Sequence, residues 1–190
     1  VLARGQLFEL PAMEGAMVAV FAGAERVEPL LAPYRSRVAI AGYNGPNNVV
    51  ISGALPEMDG ALAALRGAGI KFRRIPINQA AHSPLLDPLL GGFERQVAAL
   101  QGHAPHVGLV SSVTGQLANA AELTSPAYWR SHLRQPVRFQ GAMETLHKLG
   151  QRIFVEIGPR PVLLALGQRC LPDGAGVWIP SLRDKGQDWQ

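Results

Sequence analysis

Between residues 15 and 77, short apolar runs and amphipathic stretches follow one another in the order strand, helix, strand, strand, helix, strand, and few folds admit that order. Residues 15–21 (GAMVAVF), 38–43 (VAIAGY) and 49–52 (VVIS) are strand candidates, and residues 70–77 (IKFRRIPI) alternate apolar and basic side chains. Residues 24–33 carry Val27, Leu30 and Leu31 on one helical face; residues 56–67 carry Met58, Leu62 and Leu65, with Gly67 and Gly69 as the stop. Asn44-Gly45-Pro46-Asn47 separates the middle strands with residues that tolerate positive φ or pre-set a turn. The pattern predicts an α+β lobe of ferredoxin-like βαββαβ form over residues 14–78. Lobes of this kind serve many unrelated activities, so function has to come from the side chains placed around it.

The rest of the chain reads as α/β. A helix is expected over residues 84–100, with Leu86, Leu89, Leu90, Phe93, Val97 and Leu100 in one stripe. Residues 107–113 (VGLVSSV) and 153–157 (IFVEI) are continuous apolar runs, the pattern of buried parallel strands. Further helices are expected over residues 139–149 and 159–171. At the start, Leu2, Leu7 and Phe8 recur near helical spacing with no cap before them, so residues 1–13 read as the end of a helix belonging to a larger lobe. Residues 175–190 turn polar and aperiodic, as a linker would. Both ends carry the signature of a segment of a longer polypeptide.

Composition narrows the functional classes. Hydrophobic residues make up 47% of the 190, which excludes a disordered tail, and no run approaches the ~20 apolar residues a membrane helix needs. The single cysteine, Cys170, excludes an intramolecular disulfide and fits a reducing cytoplasm. The net charge of +4 is mild. Lys71, Arg73 and Arg74 share one strand, but only Phe72 and Phe21 are placed as stacking aromatics, which argues against a nucleic-acid module. His103 and His106 lie in a Pro-containing loop without nearby Cys or acidic partners, so no metal site is expected.

His82 is the residue with most chemical promise. It follows Gln79-Ala80-Ala81 and precedes Ser83-Pro84, a plausible N-cap and first helical residue. It would face the positive end of a helix dipole, which favours neutral imidazole, the form a general base requires. The local residues allow two readings, a catalytic base or a structural histidine at a helix start.

Six ordered segments carry a resemblance: ARGQLFELPAMEGAMVAV (residues 3–20), AGYNGPNNVVISG (41–53), AAHSPLLDPLL (80–90), SSVTGQ (111–116), PAYWRSHLRQPVRF (126–139) and VEIGPRPVL (155–163). Together they resemble the acyltransferase domain of modular polyketide synthases, which is similar to malonyl-CoA:acyl carrier protein transacylases. The resemblance implies a ferredoxin-like small subdomain, residues 14–78, beside the C-terminal part of an α/β-hydrolase-like acyltransferase subdomain, residues 79–174, with a post-domain linker over 175–190. It implies His82 as the base that activates a serine. Arg4 falls where the family keeps an arginine for the free carboxylate of a malonyl-type unit, a pairing that suits guanidinium geometry; from the residues alone Arg4 is an exposed helical side chain. Asn44 and Ser112 lie in segments that approach the family's site, and they read equally as a turn former and a strand end.

The departures from the family pattern matter as much. No Gly-x-Ser-x-Gly nucleophile elbow occurs in the sequence, so the serine is expected outside this chain and the chain alone is expected to be inactive. The four residues that accompany extender choice read Gln79-Ala80-Ala81-His82. The family motifs are His-Ala-Phe-His for malonyl and Tyr-Ala-Ser-His for methylmalonyl units, so Ala81 removes a bulky ring and Gln79 matches neither class. The implied partners are a malonyl- or alkylmalonyl-CoA, an acyl carrier protein bearing phosphopantetheine, and neighbouring synthase domains. No metal or redox cofactor is implied, and a backbone carbonyl is expected to orient His82. The competing reading is a non-catalytic docking or scaffold portion of such a synthase.

Overall fold

The computed structural model describes residues 2–8 and 14–182. Helix α1 spans Leu2–Phe8, and the ferredoxin-like lobe follows as β1 (Ala16–Val20), α2 (Ala24–Leu31), β2 (Val38–Gly45), β3 (Asn48–Gly53), α3 (Leu55–Gly67) and β4 (Phe72–Arg74). The sheet order is β2-β3-β1-β4 with every neighbouring pair antiparallel. In that arrangement β3 splits the β1-α2-β2 unit, as the motif order predicts. Burial alternates along β1, and Ala16, Val18 and Val20 turn inward against Val27, Met58, Leu62 and Leu65 of the two helices.

The lobe departs from expectation at its edges. Strand β2 runs on through Asn44 and Gly45, with register shifts at Ile40/Gly42 and Tyr43/Gly45, so the turn tightens onto Pro46-Asn47. Strand β4 keeps only three residues of the eight expected, because Pro76 has no N–H to continue the ladder.

A 3-10 stretch, Pro84–Leu89, leads into α4 (Leu90–Ala98), and α5 (Ala120–Thr124) and α6 (Pro126–Arg134) pack beside it. The single long helix expected here is thus divided, since Pro88 supplies no backbone donor within its first turns. A second core forms from Ala54, Ala80, Leu85, Leu86, Leu90, Phe93 and Leu133. Ala80 joins the two parts of the molecule, being fully buried against Gly15, where an added Cβ would collide with it and with the Gly53 carbonyl.

The last third carries α7 (Phe139–Lys148), β5 (Ile153–Glu156), α8 (Val162–Gln168) and β6 (Val177–Pro180). Strands β5 and β6 pair in parallel, and Phe154 stacks on Trp178 at 4.4 Å over Met143, Leu164 and Leu171. Three expectations need correction. Residues 107–113 form no strand: Val110 makes one bridge to Leu117, and the Ser111 hydroxyl accepts the Val113 and Thr114 N–H groups in a tight turn closed by Gly115 at φ +72°. The parallel strand β5 is not buried on both faces, with Ile153 and Val155 more than half exposed and Ile157 beyond it 89% exposed. The stretch expected as a linker contributes β6 at Val177–Pro180.

Candidate active site

The catalytic candidate sits where the sheet lobe hands over to the helices. Ala80 is pinned in the core, and two residues later His82 adopts φ +55°, the single non-glycine residue with positive φ among the described residues. That left-handed backbone costs about 1–2 kcal/mol in a residue with a Cβ. Ser83 fastens the far side of the bend. Fully buried, its hydroxyl donates to the Ala80 carbonyl at 2.7 Å and accepts from the Leu85 N–H at 3.3 Å. Pro84 follows at the first helical position.

The bend aims the His82 ring at the end of α6, where Nδ1 lies 2.8 Å from the Gln135 carbonyl oxygen. A carbonyl can only accept, so Nδ1 carries the proton and neutral His82 keeps its lone pair on Nε2. An ion pair ties together the segments on either side of this bond: Arg134 Nε donates to Asp87 Oδ1 at 2.6 Å, linking α6 to the 3-10 stretch. Burial holds the imidazole's pKa below 6.5; the bond to Gln135 opposes this, and the charges of Arg4 and Arg134 reinforce it. The helix dipole expected to keep the ring neutral has little part here, because the element it faces is a six-residue 3-10 stretch rather than an α-helix.

Arg4, carried on α1, acts electrostatically on two imidazoles, His82 and His132. It shares with His132 the wall of a cleft of about 700 Å³, lined also by Phe93, Leu123 and Trp129. Sequence reasoning assigned no role to His132, which lies on α6 within the segment PAYWRSHLRQPVRF. Its Nε2 meets the Ser112 hydroxyl at 3.2 Å, and its pKa is lowered by burial first, then by Arg4 and His82.

The remaining candidates divide. Gln79 is exposed and bridges to Glu14; Ala81 is partly buried beside His82. Ala80 was expected to touch substrate, but its methyl group is enclosed in the second core, with none of its surface exposed. The Asn44 carbonyl accepts the Cys170 thiol at 3.3 Å. Burial pushes that thiol up to about 11, so it stays protonated. Among the described residues no three His, Cys, Asp or Glu side chains gather as a metal would need, and no helix is long and apolar enough to cross a membrane.

Comparison with known proteins supplies a frame for this geometry. A family model described as the acyl transferase domain matches residues 1–186. The polyketide synthase GfsA of Streptomyces halstedii is 42% identical over 184 residues, covering 96% of this chain and 2% of that synthase. The crystal structure of the acyltransferase domain from the second module of the salinomycin polyketide synthase superposes with a TM-score of 0.91 at 39% identity, covering 98% of this chain and 44% of that one. The acyl transferase domain of SpnD, solved in complex with 2-(pent-4-yn-1-yl)malonyl, is 33% identical with a TM-score of 0.85 over 92% of this chain and 42% of that one. The chain thus spans less than half the length of these domains.

Proposed function

The chain belongs to the acyl transferase domain family, and on that premise we propose that it carries the base and the carboxylate clamp for moving a malonyl-type unit from coenzyme A to the phosphopantetheine thiol of an acyl carrier protein. The observation that carries the reading is the commitment of His82 Nδ1–H to the Gln135 carbonyl at 2.8 Å, which frees Nε2 to take a proton.

In this reading Nε2 accepts the proton of a serine hydroxyl as that oxygen bonds to the thioester carbonyl carbon. The carbon–sulfur bond then breaks, and His82 returns the proton to the departing CoA thiolate. In the second half, the pantetheine thiol gives its proton to Nε2 and attacks the acyl-serine; the carbon–oxygen bond breaks and the serine recovers its proton from His82. Arg4 holds the free carboxylate by a two-point contact, and its charge adds to the burial that lowers the His82 pKa. The serine belongs to a part of the domain that these residues do not include. The open apolar face of β5, with Ile153, Val155 and Ile157 exposed, supports a larger domain body covering that side. Ala81 beside the base leaves room for a substituent on the acyl unit, while one methylene in an apolar pocket discriminates by only ~1–3 kcal/mol.

The test is acyl-enzyme formation from labelled malonyl-CoA in the complete domain. His82→Ala should lower labelling by at least ~100-fold. Undiminished labelling would remove His82 from the reaction, and carrier-protein binding without any labelling would favour a docking role. Arg4→Ala should weaken malonyl-CoA at least ~10-fold more than acetyl-CoA; equal loss on both would contradict the clamp.

A further inference from the structure

We propose that His132 is a specificity-determining residue of this site: anchored by the Ser112 hydroxyl, its imidazole is a second donor, beside Arg4, for the carboxylate of the incoming acyl unit. The inference rests on the carboxylate reading given above and assigns it a second residue.

Three observations fix the ring. Ser112 sits at the start of the 111–116 turn, and its own carbonyl accepts the Arg138 N–H at 2.7 Å, so the hydroxyl is presented from a bonded backbone. That hydroxyl meets His132 Nε2 at 3.2 Å, whereas the adjacent Ser111 is consumed by Tyr128 at 2.9 Å and by the turn's own N–H groups. On α6 itself, Trp129 and Tyr128 flank the imidazole at centroid distances of 5.5 and 6.1 Å, which restricts its rotation. The Ser112 hydroxyl can donate to Nε2, and the neutral ring then holds its proton on Nδ1, available to the cleft that His132 lines with Arg4.

A carboxylate suits that wall. It has more lone-pair directions than one guanidinium fork fills, and a neutral N–H donor beside the fork takes another of them. The charged groups that bear on His132 are Arg4 from α1 and His82 from the loop after β4, both of which disfavour its protonation. A bound carboxylate offsets Arg4, so anion binding strengthens His132 as a donor and raises its affinity for a proton. A monocarboxylic acyl unit has no free carboxylate and leaves His132 unmoved.

The experiment titrates this chain with malonate, and separately with acetamide, which has no carboxylate, while the imidazole resonances are followed by NMR. Malonate should shift the His132 signals and raise that ring's pKa; acetamide should not, and Arg4→Ala should abolish the malonate effect. His132→Ala should weaken malonate about ten-fold, with His132→Gln, which keeps an N–H donor, within about three-fold of the parent. Ser112→Ala leaves the ring but removes its anchor and should fall between them, which keeps the test open if His132→Ala does not fold. Arg4-dependent malonate binding that ignores His132 in both signals and affinity would overturn this inference alone. Malonate binding that does not depend on Arg4 would overturn the carboxylate reading and this inference with it.

Discussion

His82 holds a backbone conformation that histidine adopts at a cost, and its neighbours say what sustains it: the buried Ser83 bridge on one side and the Gln135 carbonyl on the other. Its imidazole takes up fewer protons in the folded protein than in the unfolded chain near pH 6.5. Folding stability from this residue is therefore full above the unfolded value and falls as pH drops below 6.5 toward the lowered folded one. Arg4→Ala should move the NMR-observed His82 pKa upward and flatten that acid-side loss in denaturant midpoints between about pH 5 and 7. At this scale Arg4 and His82 could be named as candidates because whole segments around them resemble a known family. The Gln135 acceptor was not, since a backbone carbonyl leaves no mark on the residue type that bears it. His132 stayed hidden because nothing in its segment tells which side of α6 faces the cleft.

Among the elements, the local devices are the ones that can be weighed. Ser83→Ala removes the cap of the 3-10 stretch and strands the Ala80 carbonyl, and it should cost about 1–2 kcal/mol in chemical denaturation. Glu156 caps α8 by accepting from the Val162, Leu163 and Leu164 N–H groups. Desolvation works against its charge, but those three bonds hold its pKa below the ordinary value, so the cap is present above that range and lost as pH falls through the lowered pKa. Glu156→Gln should speed amide exchange in α8 while leaving α3 unchanged. The four strands of the lobe were readable from alternation and turn chemistry, and so were α2, α3 and α7, whereas the stripe over residues 84–100 is split into a 3-10 stretch and α4, and α5 and α6 were not anticipated. Residues 107–113 were misread because a continuous apolar run says only that water is unfavourable. Whether it becomes a strand depends on a neighbour to bond with, and here Ser111 closes the chain into a turn instead.

For the molecule as a whole, the sheet lobe meets the rest through Ala80 and Ala54 in the second core and through the backbone bonds of Val137 to Ala41 and Tyr43. Leu62, almost wholly enclosed between sheet and helices, anchors the first; Leu62→Ala should destabilise the lobe by about 2–5 kcal/mol in a denaturant titration followed by tryptophan-independent circular dichroism. The uncovered side of β5 predicts strong binding of a hydrophobic reporter dye by the isolated chain, reduced when Ile153 and Val155 are both changed to Ser. One contact between the cores is Ala80, wedged between the Gly15 backbone and the leucines that follow His82. Its consequence reaches protein engineering. Transplanting the whole Gln79-Ala80-Ala81 stretch to retune substrate choice treats three unlike positions as one dial. A bulkier side chain at the middle position would act as a crowbar, prising the lobes apart and swinging the imidazole away from its carbonyl. Redesign should graft the outer two and leave the rivet alone.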